Sequence, residues 1–189
     1  MTTNPLLDFS GLPRFDAIRP EHVAPAVEAL LADARGTIER VATDRNPANW
    51  DNVALPLAET LDRLDRAWSA VRHLNAVVST PELREVYNGN LPKVTAFYAE
   101  LGQDTRLFDR YRELAASPEY GKLDGAQKKA VQNELRDFKL GGAELPDDRK
   151  ARFKGVIEEL ASLSAKFDDN VLDATNDFAL YIEKPEAMD

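Results

Sequence analysis

Between Asp124 and Thr175 the chain carries a start signal, an apolar period, a stop and a restart, and together these leave room for little but a helical hairpin. Asp124 with Gln127 three residues later has the form of a capping box, in which each side chain satisfies a backbone N–H of the first turn that has no partner inside the helix. Ala130, Val131, Leu135 and Phe138 keep one apolar face up to Gly141-Gly142, where glycine takes the left-handed conformation that closes a helix C-terminus. The corner spans 141–145. Pro146 suits a first helical position, since its missing N–H has no helical partner there, and Asp147 and Asp148 set negative charge against the positive end of the helix dipole. Behind them Phe153, Val156, Ile157, Leu160, Leu163 and Phe167 recur at helical spacing. The spacing predicts a second, longer helix that turns this stripe to a core and leaves Glu158, Lys166 and Asp169 in water.

The rest of the chain follows the same period. Residues 1–19 read as an irregular arm anchored by Leu6, Leu7, Phe9 and Phe15. Pro20 opens a helix with Val23, Val27, Leu30, Leu31, Ala34, Ile38 and Val41 on one face, with Pro25 expected to kink its first turn. Asn49 is a cap for a long helix carrying Val53, Leu57, Leu61, Leu64, Trp68, Val71 and Leu74. Thr80-Pro81-Glu82 starts a third, which Pro92 is expected to kink near Leu91 before Val94, Phe97, Leu101, Leu107, Phe108 and Tyr111 resume the period. Residues 117–122 read as a loop. In FALYIEK, Phe178, Leu180 and Ile182 alternate with Ala179, Tyr181 and Glu183, the period of a strand over 178–183. A strand without a neighbour leaves backbone donors open, so its partner is expected either elsewhere in this chain, unrecognised, or beyond Asp189. No internal repeat is present. The expected fold is all-α: one domain over 1–189, a bundle of about five long, partly kinked antiparallel helices over 20–176, with one short strand at its C-terminal end.

Chemistry has few candidates here. The chain has no cysteine and a formal net charge of -9, with a pI near 4.8. There is no thiolate chemistry, and a chain this acidic repels phosphate backbones, so nucleic acid is not an expected partner. No stretch approaches the roughly 20 apolar residues of a membrane span, and MTTNPLLDFSGLPRF has no signal-peptide form. The cytoplasm is the expected location. His22 and His73 are the two histidines, and neither sits in an H-x-x-x-H pair; both read as structural or surface residues. Asp147-Asp148 are explained by the helix dipole, and Asp168-Asp169 by a solvated face. Trp50 and Trp68 fit a core better than a peptide groove, given the apolar area each buries. Gly141-Gly142 follows a helix and lacks a G-K-[ST] continuation, so it is no phosphate loop. Catalytic and metal positions: none; the residues that touch substrate stay unassigned.

The wording of the chain says more than its period. QKKAVQNELRDFKLGGAELPDDRKARF followed by LASLSAKFDDNVLDAT resembles the bacterial oligopeptidase A branch of the thimet oligopeptidase family of zinc metallopeptidases. PLLDFSGLPRFDAIRPEHVAPAV, WDNVALPLAETLDRLDRAWSAVRHLNAVVSTPELREVY and YIEKPEAM fall in the order that family shows. The resemblance implies an N-terminal piece of such an enzyme, part of the wall of a channel that admits short peptides. It also implies that the H-E-x-x-H helix and the single zinc ion lie in the remainder of the polypeptide, so that this fragment alone is inactive. A free-standing helical module that binds a partner helix or peptide is the alternative.

Overall fold

The computed structural model describes residues 4–181. Among them seven α-helices follow in chain order: α1 (Pro20–Thr43), α2 (Leu55–Val77), α3 (Pro81–Gly102), α4 (Thr105–Ala116), α5 (Pro118–Lys122), α6 (Gly125–Leu140) and α7 (Asp147–Asp177). A 3-10 turn over Pro5–Leu7 precedes α1, and a π-helical turn over Trp50–Ala54 leads into α2. The fold is all-α, with seven helices where about five were expected. One extra helix arises at Asp104, whose carboxylate accepts the N–H groups of Arg106 and Leu107 at 2.9 and 3.3 Å and so caps a fresh start. Leu107, Phe108 and Tyr111 therefore belong to α4 and not to a resumed α3. The other arises at Ser117, whose Oγ accepts the Tyr120 N–H at 3.3 Å, with Pro118 at the first position, turning the expected loop into the single-turn α5.

Pro92 does not interrupt α3, which runs unbroken from Pro81 to Gly102. The two halves are held by one core: Leu83 before the proline and Val94 and Phe97 after it are all buried in the same cluster. Tertiary packing here outweighs the hydrogen bond that proline removes. Pro25 is accommodated inside α1 in the same way.

Burial divides into two adjoining clusters. The first joins Val23, Val27 and Leu30 of α1 to Leu64, Trp68 and Val71 of α2 and to Val94 and Phe97 of α3, with Leu6 and Ile18 of the arm closing one side. The second joins Val41 at the end of α1 to Val53, Leu57, Leu107, Leu114, Val131 and Phe138. The arm is fastened by polar bonds: Asn4 Nδ2 donates to the His22 carbonyl at 2.8 Å, and Arg66 donates to the Gly11 carbonyl at 2.7 Å.

The hairpin forms largely as its signals direct. The Gln127 N–H reaches Asp124 Oδ1 at 2.8 Å, and the Asp124 N–H reaches Gln127 Oε1 at 3.1 Å. Gly142 takes a φ of 94°, and the Ala143 N–H closes back on the Phe138 carbonyl at 2.9 Å. Pro146 caps α7 from outside, one position earlier than expected, and Asp147 is the first helical residue.

The expected strand is not present among the described residues. Phe178 has extended backbone after α7, and Phe178, Leu180 and Tyr181 are 73%, 74% and 87% exposed. Alternation alone makes no strand, because every N–H and C=O needs a neighbouring edge, and the described part of the fold, being helical, offers none. Ile182 and Glu183 lie outside the described residues.

Candidate binding cleft between α3 and α7

α7 is 31 residues long and has no buried residue. Its main neighbour is α3, and polar groups tie the two together at both ends. Near the start of α7, Lys154 Nζ donates to Glu100 Oε1 at 2.8 Å, and Arg35 of α1 donates to the other oxygen of Glu100 at 2.9 Å. Gln103 Nε2 donates to the Lys150 carbonyl at 3.3 Å. Towards its end, Arg84 of α3 donates through both terminal nitrogens to the two oxygens of Asp173, at 3.0 and 2.9 Å. This two-pronged geometry is the strong form of an arginine–carboxylate contact. Arg84 Nε also lies 3.4 Å from Asp169, which accepts from Asn88 at 3.2 Å.

The charges at these ties shape one another. Hydrogen bonding to Arg84 holds the Asp173 carboxyl below its usual 3.8. The Lys154 hydrogen bond, with a further one from Arg35, outweighs partial burial and holds Glu100 below 4.5.

Between the ties the two helices part around a cleft of about 680 Å³, walled by Leu91, Pro92 and Ala96 on one side and Ala161 and Ala165 on the other, with Lys93 among the charges at its rim. A second hollow of about 320 Å³ lies next to it, where Tyr87 faces Phe167 and Leu172. Such a cleft has apolar walls for a side chain or short segment and charges to orient it.

The placement of α7 corrects two expectations. The stripe expected to face a core is largely open: Val156, Leu160, Leu163 and Phe167 are 52%, 57%, 57% and 66% exposed. The side carrying Ala161, Ala165 and Asp169 lies against α3 instead. Ala161 and Ala165 wall the cleft there, and Arg84 selects that side through Asp169 and Asp173. For the same reason Asp169 is not on a solvated face, whereas Asp168 is exposed.

The other sequence candidates are accounted for locally. Trp68 is buried and stacks on Tyr87, with centroids 5.0 Å apart and planes 6° from parallel, while Trp50 packs half-buried against the second cluster. Asp147 and Asp148 are exposed in the first turn of α7. His22 Nδ1 accepts the Arg19 N–H at 3.0 Å, as a cap to α1. His73 is exposed, with its ring edge-on to Phe15 at 5.4 Å. Among the described residues no three histidine, aspartate or glutamate side chains converge as a metal group. Arg84, Glu100 and Lys154 carried no sequence signal. The one available hint was the Ala161–Ala165 spacing, which marks a side of α7 with small side chains.

A family model for the neurolysin/thimet oligopeptidase N-terminal domain matches residues 27–150. Oligopeptidase A of Haemophilus influenzae is 45% identical over 181 residues, 96% of this chain and 26% of the relative. Oligopeptidase A of Escherichia coli is 45% identical over 173 residues, 92% of this chain and 25% of its own. The organellar oligopeptidase A, chloroplastic/mitochondrial, of Arabidopsis thaliana is 33% identical over 178 residues, 94% of this chain and 22% of its own. The chain thus spans about a quarter of the length of the curated relatives it matches.

Proposed function

The chain belongs to the neurolysin/thimet oligopeptidase N-terminal domain family, and from that premise we propose that it is the N-terminal helical region of a cytoplasmic, zinc-dependent oligopeptidase that hydrolyses short peptides. The observation that carries this is the alignment itself, 45% identity along 96% of the chain against a quarter of an oligopeptidase A. The helices serve as part of the substrate-channel wall, and the remainder of the polypeptide supplies the metal and the reacting groups.

The described residues bring together no set of ligands that fits a catalytic zinc site. Such a site takes three protein ligands and keeps a position open for water. Here one histidine nitrogen is engaged as a helix cap and the other ring rests on a phenylalanine. No catalytic step is therefore routed through these residues. Their contribution is binding and exclusion: the α1–α3 core backs an apolar cleft whose rim carries Lys93 and Asp169, paired with Glu28 and Arg84.

The test is the full-length protein. It is expected to contain one zinc per chain and to cleave short peptides while leaving folded proteins of the same sequence content intact. A full-length protein that holds no zinc, or that cleaves short peptides equally well after the metal is stripped, would refute the assignment.

A further inference from the structure

α7 has apolar side chains on two opposite sides, and the described residues cover one of them. Ala161, Ala165 and Leu172 line the hollows against α3. Roughly half a turn round the helix, Val156, Leu160 and Leu163 stand 52% to 57% exposed, flanked by Phe167 and Val171 at 66% and 48%, which also border the smaller hollow. A helix that is apolar on opposite sides belongs between two layers. We propose that this open face seats an apolar helix from the rest of the full-length polypeptide, so that α7 is the middle layer of a helical sandwich. The proposal rests on the assignment above, that the chain is the first part of a longer oligopeptidase.

The spacing identifies the occupant as a helix. Phe153, Val156, Leu160, Leu163 and Phe167 are separated by three, four, three and four residues, the period of a seam between two helices crossing at a shallow angle. An irregular segment has no need of that period. The face is also contiguous, and soluble proteins seldom leave such a stripe in water unless something binds it. Lys154–Glu100 at one end and Arg84–Asp173 at the other tie α7 to α3 in the rotation that turns this face outward. Glu159 and Lys166, of opposite sign, flank one edge of the stripe, as residues beside a helix seam commonly do.

Two occupants have the required chemistry, the rest of the polypeptide and a second copy of the chain. The relatives carry about three quarters of their length outside the matched region. A tethered segment meets the face at an effective concentration of order millimolar, far above that of a free copy. The tethered segment is therefore favoured.

Hydroxyl-radical footprinting of the 189-residue chain and of the full-length protein, at equal dose, tests this without any substitution. Leu160, Leu163 and Phe167 are expected to label readily in the chain and roughly fivefold less in the full-length protein, as for side chains passing from half-exposed to packed. Val23 and Leu64, fully buried in the first core, are expected to stay unlabelled in both. Equal labelling of the stripe in the two proteins would overturn the proposal. So would sedimentation showing the chain as a dimer with the stripe already protected, since the occupant would then be a second copy. Peptide cleavage assayed on the same full-length sample separates the two readings. Protection without metal-dependent cleavage would refute the enzyme assignment and leave the interface standing; cleavage without protection would refute the interface alone.

Discussion

Gly141 and Gly155 differ in what surrounds them. A Cβ at Gly141 would lie 2.9 Å from the Gly102 carbonyl oxygen and 3.0 Å from its Cα, so α6 can end against α3 at this point because Gly141 has no side chain. At Gly155, inside α7, a Cβ would meet nothing within 4 Å. Gly141→Ala is expected to cost about 1–3 kcal/mol, because the atoms in the way are backbone. Gly155→Ala is expected to stabilise by up to about 1 kcal/mol through helix propensity. Urea unfolding checks both, and a neutral Gly141→Ala would show that the Gly102 contact is not tight. Legibility at this scale depends on distance along the chain. The Asp124–Gln127 box could be read because both partners sit in one turn. Arg84 could not, because Asp173 lies 89 positions away. The positive φ of Gly142 was readable, whereas the Gly102–Gly141 contact, between two helices, was not.

α7 is the element on which sequence and structure diverge most. Periodicity located the helix and its apolar stripe, but both sides of α7 are apolar, and period alone does not say which side takes a neighbour. The choice is made by small residues facing α3 and by ion pairs with distant partners. This attachment has a definite pH dependence. Asp173 and Glu100 titrate below 3.8 and 4.5 because their charged forms are hydrogen-bonded to Arg84 and Lys154. A carboxylate with a lowered folded-state pKa adds stability above its unfolded value, and that stability is lost as pH falls through the folded value. The α3–α7 ties are therefore at full strength above about pH 5 and weaken progressively below about pH 4. Carboxylate titration by NMR is expected to show both midpoints below the ordinary values, with Arg84→Ala returning that of Asp173 upward. An Asp173 midpoint unmoved by Arg84→Ala would contradict the assigned cause.

At the scale of the molecule, two apolar clusters fix α1 to α4 and α6, and α7 is carried on the outside by polar ties. The all-helical class was legible because helix-period stripes run through most of the chain. The helix count was not, because Asp104 and Ser117 act as caps only when the chain on both sides packs into the same core. The strand over 178–183 was read from alternation, a local signal for a structure that exists only in pairs; its described part is not a strand. As for the site, the resemblance named the family, and the family match bears that out. The cleft itself arises from how α7 leans on α3, which no motif records. The most direct test of this region as a non-catalytic part of a zinc peptidase is to incubate the 189-residue chain and the full-length protein separately with short quenched-fluorescent peptides, with zinc and then with chelator. The expected result is chelator-sensitive cleavage by the full-length protein and none by the chain, whereas chelator-sensitive cleavage by the chain that persists through repurification would contradict it.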